Sequence, residues 1–239
     1  MLSKDSVKAI FDLCRISNLP TVWTNVMAAI VLSGSGFSWR NFLILSLSMS
    51  FFYSGGMCLN DIMDVAIDRI KKPFRPITTG RVSIQNAYIL TITLFVIALS
   101  LLLFVPYQTA IYTGFLLLAV IVAYDRLHNR HSKSIILMAT CRQMVFVVSA
   151  IAVTGRVGFF VLIAGFIQFV YILTISLVAK REKNINNELC SFSIIPIMIA
   201  CISLLDGIVM AVFVSPAWLI AGISGAVLTQ FGQKYVRGD

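Results

Sequence analysis

The chain has 239 residues, of which 59% are hydrophobic and 12% charged, with a formal charge of +9 and a mean hydropathy of +0.92. Soluble domains run near about 45–50% apolar and about 25% charged, so a soluble globular enzyme is excluded, and disorder with it. The basic excess then reports membrane topology and an anionic ligand rather than nucleic acid.

Residues 1–17 read as an amphipathic helix lying on the membrane surface. Val7, Ile10, Phe11 and Cys14 recur at helical spacing, with Lys4, Lys8, Asp12 and Arg15 between them. Apolar runs then predict about eight spanning helices, at 19–35, 41–60, 85–105, 107–124, 134–154, 157–179, 191–213 and 216–232. Pro20, Pro106 and Pro216 fall at span edges, whereas Pro196 falls inside the seventh span and predicts a kink. With eight spans, sixteen of the 19 lysines and arginines lie on one face. The positive-inside rule makes that face cytoplasmic, with both termini on it. The five cysteines (Cys14, Cys58, Cys141, Cys190 and Cys201) show no metal spacing and read as packing residues.

The second span ends in Asn60-Asp61-Ile-Met-Asp64-Val-Ala-Ile-Asp68-Arg69. On one helix, steps of about 100° place Asp61, Asp64 and Asp68 on one face, and Asn60, Asp64 and Asp68 follow i, i+4, i+8. Three carboxylates so close repel one another unless a cation sits among them. Hard oxygen ligands suit Mg²⁺, which binds through one or two carboxylates plus substrate phosphates. Asn60, Asp61, Asp64 and Asp68 are therefore the candidate metal ligands, and the three aspartates the candidate catalytic residues. The bland alternative is a solvated charged helix end. The next residues, Arg69-Ile-Lys-Lys-Pro-Phe-Arg-Pro-Ile-Thr-Thr-Gly-Arg81, put basic groups beside the cluster. Lys72 and Arg75 are candidates to clamp a diphosphate, although the positive-inside signal explains most of these charges.

NDIMDVAIDR followed by RPITTG resembles the first aspartate-rich motif of the UbiA superfamily of intramembrane prenyltransferases, NDxxDxxxD with a following R-P-hydrophobic-x-x-G segment. Asn18-Leu-Pro-Thr21, the helix layout and the basic loops extend the resemblance over most of the chain. It implies one all-α domain over residues 1–239, a polytopic bundle whose central cavity binds a prenyl diphosphate through Mg²⁺ at its cytoplasmic end. A narrower resemblance, carried by Arg15-Ile-Ser-Asn-Leu-Pro-Thr21, Tyr124-Asp125 and Cys141-Arg142, is to the EboC-like subgroup. The chain departs from the superfamily where a second motif, DxxxD, closes the sixth span. Here that place reads Ser176-Leu-Val-Ala-Lys180-Arg181-Glu182-Lys183. Lys180 and Arg181 either neutralise diphosphate in place of a second metal or serve as plain cytoplasmic anchors.

Other polar residues fall within apolar runs. Arg142 lies about eight residues into the fifth span, where an unpaired cation costs several kcal/mol. It should face the cavity, with diphosphate, Asp61 or Asp125 as partner. Tyr124 closes the fourth span, and Lys133 lies in the following loop as a further diphosphate candidate or an anchor. His128 and His131 make a weak H-x-x-H that reads as surface loop. Tyr53 and Asn25 face the bundle by helical phase, Tyr53 as a ring able to steady a cation. Asp206, deep in the seventh span, reads as a hydrogen-bond partner of a neighbouring helix, with a place on a substrate route as the less favoured alternative.

Two functions compete. One is an Mg²⁺-dependent prenyltransferase that ionises a prenyl diphosphate and passes the prenyl group to a small acceptor, aromatic for preference, with cyclisation of the prenyl chain as a variant. The other is a non-catalytic isoprenoid-binding membrane carrier or scaffold. A CDP-alcohol phosphotransferase is disfavoured, because neither Asp61 nor Asp64 is followed by glycine.

Overall fold

Proline and small polar residues set the helix boundaries. The computed structural model describes residues 4–128, 134–185 and 194–236. Among these, α1 (Lys4–Cys14) leads through a 3-10 turn at Ile16–Asn18 into α2 (Leu19–Leu32). Pro20 occupies the first turn of α2, where its missing N–H costs nothing. Next come α3 (Trp39–Met63) and the short α4 (Val65–Lys71), which stops ahead of Pro73. Ser83 caps α5 (Ile84–Leu101) by accepting from the Asn86 N–H at 3.2 Å. The rest are α6 (Ala110–Leu127), α7 (Ser134–Thr154), α8 (Phe159–Ile185), α9 (Ile195–Phe213) and α10 (Leu219–Gln233). No strand occurs among the described residues, and the all-α expectation holds.

Among the described residues, six helices are long and apolar enough to cross a membrane: α3, α5 with its 3-10 extension, α6, α7, α8 and α9. The first and eighth predicted spans fall on shorter helices, α2 with 14 residues and α10 with 15. At about 1.5 Å per residue α2 covers about 21 Å of a hydrocarbon layer about 30 Å thick. It is enclosed by protein, with Val22, Val26, Ala28, Ala29 and Ile30 at most 1% exposed. An interior helix need not match the lipid by itself. The outer helices turn Ile89, Ile92, Val96, Phe115, Phe166, Val170 and Ile220 outward, and apolar side chains in such number on a surface mark a lipid-facing one.

Two expectations change. Pro196 does not kink a span but lies in the first turn of α9. The amphipathic helix exists, but its apolar face docks onto the bundle: Ala9, Leu13 and Cys14 pack with Cys58, Ile62 and Leu94 of α3 and α5. Val7 and Phe11 stay exposed.

The helices α9 and α10 meet backbone to backbone. A Cβ on Gly207 would lie 2.7 Å from the Gly222 Cα, closer than packed atoms allow. Without a hydrophobic force between helices in lipid, such close contact is what holds a pair together. Gly207→Val is therefore expected to lower the thermal midpoint in detergent, at an overpacking cost of about 1–3 kcal/mol. Gly158→Ala, with nothing within 4 Å of the added methyl, should leave it unchanged.

Candidate active site

The carboxylate run straddles a break between two helices. The N–H of Asp64 donates to Asn60 O at 2.9 Å and closes α3, and the N–H of Asp68 donates to Asp64 O at 2.8 Å and opens the next turn. The three aspartates therefore do not form one face around one point. Asp61 and Asp68 are each 4% exposed and share a single cation. Arg75 Nη1 lies 2.8 Å from Asp61 Oδ1 and also donates to Asp68 Oδ2. Arg15 Nη2 reaches the same Asp61 oxygen at 3.2 Å. The cation among the carboxylates is a guanidinium, and this is the physical reason that they tolerate one another in an apolar bundle.

The segment after α4 is built to deliver Arg75. The Arg75 N–H donates to Lys72 O at 3.1 Å, and the hydroxyls of Thr78 and Thr79 donate to Arg75 O at 2.8 and 3.0 Å. Gly80 closes the turn at φ +73°, a left-handed conformation that favours glycine. Arg15 itself sits at φ 48°, ψ 48°. For a residue with a Cβ that conformation costs about 1–2 kcal/mol, and the ion pair to Asp61 offsets it.

Asp64 is served separately. His128 Nε2 lies 2.8 Å from Asp64 Oδ1, and His128 Nδ1 lies 3.0 Å from the Asp125 carbonyl oxygen. An ionised carboxylate and a carbonyl only accept, so this pair of partners favours the doubly protonated imidazole. The hydrogen bond to Asp64 raises the His128 pKa, which agrees with this. The Tyr124 ring stacks on the imidazole with centroids 5.3 Å apart. Asn60 Nδ2 donates to Asp125 Oδ1 at 3.2 Å.

Two cavities are lined by carboxylates of this region, one by Asp61 and the other by Asp125. One, of about 370 Å³, is polar and bounded by Lys8, Asp12, Arg15, Arg75, Arg81 and Lys234. The other, of about 120 Å³, is apolar, with Phe52, Leu117, Ile121 and Ile172 in its wall. It also takes in four polar side chains, Tyr53, Tyr124, Asp125 and Arg142. Sequence reasoning placed Tyr53, Tyr124 and Arg142 among the candidates, and the fold gathers them here. Asn25 stands directly behind: Arg142 Nη1 donates to Asn25 Oδ1 at 2.8 Å, and the guanidinium lies 5.9 Å from the Tyr53 ring centroid.

Other expectations shift. Arg142 pairs with Asn25 and with Thr21 Oγ1 at 3.2 Å, rather than with Asp61 or Asp125, because those carboxylates have closer partners. His128 is no surface-loop residue, since its side chain is 14% exposed and bound to Asp64. Lys72 ends α4, its N–H donating to Asp68 O at 2.9 Å. Lys180 and Arg181 are exposed at the end of α8, and the ion pairs described for the aspartates come from Arg15, Arg75 and His128 instead. Lys133 lies outside the described residues, as does His131. Asp206 does bind neighbouring helices, accepting from Thr24, Asn25 and Gln168. Arg15, His128 and Gln168 are partners that the sequence does not reveal: Arg15 reads as one more basic residue of the surface helix, the H-x-x-H spacing of His128 points to no carboxylate, and a lone glutamine carries no spacing signal.

The oxygen donors suit Mg²⁺ in kind. Asp125 Oδ2 is a buried carboxylate oxygen with no hydrogen-bond partner, and such an oxygen is where a cation or proton is wanted. In their present arrangement, however, no three His, Cys, Asp or Glu side chains among the described residues converge on a metal position. A metal would have to take over carboxylates now held by Arg75 and His128.

A model of the UbiA prenyltransferase family matches residues 21–237. The chain belongs to the UbiA prenyltransferase family. Being a member with six long apolar helices, it is a multi-pass integral membrane protein. The digeranylgeranylglyceryl phosphate synthase of Saccharolobus solfataricus is 38% identical over 97 residues, which are 40% of this chain and 34% of that protein. The synthase of Methanococcus vannielii is 37% identical over 100 residues, 41% of this chain and 36% of that one. The sequence match thus spans about a third of those relatives. In fold the likeness runs nearly end to end. A structure of digeranylgeranylglyceryl phosphate synthase in membranes has a TM-score of 0.65 at 16% identity, covering 97% of this chain and 95% of that one. A UbiA homolog from Archaeoglobus fulgidus bound to DMAPP and Mg²⁺ has a TM-score of 0.61 at 13% identity, covering 95% and 98%.

The Arg75 bridge makes a direct prediction. Arg75→Met leaves Asp61 and Asp68 buried beside each other, and removing one partner of a buried pair costs about 3–5 kcal/mol. Chemical denaturation in detergent should show that loss, with Arg75→Lys intermediate because one ammonium cannot reproduce the forked geometry.

Proposed function

We propose that this protein is an Mg²⁺-dependent intramembrane prenyltransferase acting on a prenyl diphosphate and a small acceptor. The observation that carries the reading is the set of paired carboxylates, Asp61, Asp64 and Asp68, whose neighbour Asn60 bonds Asp125 in the wall of an apolar cavity within a bundle of the UbiA fold. The prenyl chain takes the apolar cavity and the diphosphate takes the charged end. Asn60, Asp61, Asp64 and Asp68 would hold Mg²⁺, whose charge makes diphosphate a better leaving group. Arg75 and Arg15, released from the aspartates, are placed to bind diphosphate oxygens, with Lys72 close by.

In the reaction the bond from prenyl C1 to the diphosphate oxygen breaks, and its electron pair leaves with the oxygen. The acceptor nucleophile bonds to C1 and gives up a proton. The apolar wall of Phe52, Leu117 and Ile121 keeps water from the allylic cation, and the Tyr53 ring offers it a π face. The narrower resemblance to EboC-like proteins and the cytoplasmic placement of the basic face are part of this reading. The curated relatives are digeranylgeranylglyceryl phosphate synthases, so a glyceryl phosphate lipid belongs beside aromatic compounds among the acceptors offered.

The test is pyrophosphate release from geranyl, farnesyl and geranylgeranyl diphosphates by the purified chain in nanodiscs. Release is expected to need Mg²⁺ and to fall at least about a hundredfold in Asp64→Ala, the scale of losing one strong electrostatic contact to a transition state. Normal release in both Asp61→Ala and Asp64→Ala would refute the assignment. Release without acceptor would mark cyclisation or hydrolysis, and binding without release would mark a carrier.

A further inference from the structure

A second charged system lies inside the bundle, away from the aspartate run. Arg142 projects from α7 into the wall of the apolar cavity. A guanidinium has five N–H donors, and the bonds to Asn25 Oδ1 and Thr21 Oγ1 use two. Its counter-charge is one residue removed. Asn25 Nδ2 donates to Asp206 Oδ2 at 2.7 Å, and Asp206 also accepts from Thr24 Oγ1 and Gln168 Nε2, each at 2.7 Å. Asp206 is 2% exposed and Asn25 fully buried.

Asparagine can turn its amide either way. Between a guanidinium that only donates and a carboxylate that only accepts, one orientation satisfies both. Asp206 thereby dictates that Asn25 points its oxygen at Arg142. Thr24 and Asn25 of α2, Gln168 of α8 and Asp206 of α9 lock this orientation from three helices. A buried cation costs several kcal/mol unless compensated, and an arrangement that spends a carboxylate and two amides to hold one guanidinium on a cavity wall implies an anionic visitor.

We propose that Asp206 is a positioning residue which, through Asn25, holds the Arg142 guanidinium at the cavity wall to bind an oxyanion of a substrate. The proposal rests on the prenyl-transfer reading for the identity of that substrate. The oxyanion comes either from the diphosphate of the donor or from a carboxylate or phosphate on the acceptor, and both are bound by the same fork of N–H groups.

Isothermal titration of the full chain in detergent tests this, with pyrophosphate plus Mg²⁺, benzoate and glycerol 1-phosphate as anionic probes and geranylgeraniol as the neutral one. Arg142→Gln is expected to weaken one anionic probe about tenfold or more, as loss of a charged hydrogen bond does, and Arg142→Lys to restore part of it. The probe affected identifies the source of the oxyanion. Asp206→Asn and Asn25→Ala should weaken the same probe by about three- to tenfold, with geranylgeraniol affinity held within about twofold. Unchanged anion affinity in Arg142→Gln overturns the site, and unchanged affinity in both Asp206→Asn and Asn25→Ala overturns the positioning role. Parallel loss of geranylgeraniol binding in those two variants also overturns it, since a purely structural role would do that. Arg142-dependent anion binding without pyrophosphate release would sustain this proposal while refuting prenyl transfer.

Discussion

Two buried carboxylates a helical turn or two apart, in a bundle that faces lipid, must find a cation or the bundle does not close. Arg75 is that cation, and much of the surrounding structure serves to put it there. The helix ends at Asp64, so Asp61 and Asp68 approach one guanidinium from two helices. The Thr78 and Thr79 hydroxyls hold the arginine's own carbonyl. At the same oxygen of Asp61, Arg15 keeps a left-handed backbone that costs about 1–2 kcal/mol. Desolvating each ion costs several kcal/mol, so the set is stable only as a set.

The division of the interior follows. Charge is gathered at the end of α3, where Asp61 borders a polar cavity and Asn60 bonds Asp125, which borders an apolar one. A ligand with an anionic head and an isoprenoid tail matches that division in both halves. The second charged system, in which Arg142 is linked to Asp206 through Asn25, reaches the same apolar cavity that Asp125 lines. The cavity wall is thus mostly apolar with a few polar side chains, as specificity in a small-molecule site requires.

The overall class was legible because lipid imposes long apolar runs that nothing else explains, and α3, α5, α6, α7, α8 and α9 all fall where such runs predict them. The run with Asn60, Asp61, Asp64 and Asp68 was legible for the same reason, since carboxylates are expensive there. Less was readable where burial is supplied by protein. α2 is short because other helices surround it, and no hydropathy pattern says so. Pro196 reads as a kink from the middle of an apolar run and as a helix start once the fold is known. Partners were the least legible: Arg15 and Asp61 are 46 residues apart and His128 and Asp64 are 64 apart. A side chain's charge tells that it needs a partner, and only the fold tells which. The placement of Asp206 against its neighbours was anticipated, because a deep intramembrane carboxylate has few other choices.

Under the proposed function, carboxylates now held by Arg75 and His128 accept a divalent cation together with a diphosphate. Mn²⁺ serves as a spectroscopic stand-in for Mg²⁺, and electron paramagnetic resonance of the purified chain counts bound Mn²⁺ with and without pyrophosphate. Pyrophosphate-dependent Mn²⁺ binding that disappears in Asp61→Asn and Asp64→Asn is the predicted result. Mn²⁺ bound equally well by both variants, or no binding by the unaltered chain at millimolar Mn²⁺ and pyrophosphate, would rule out a metal site at these aspartates.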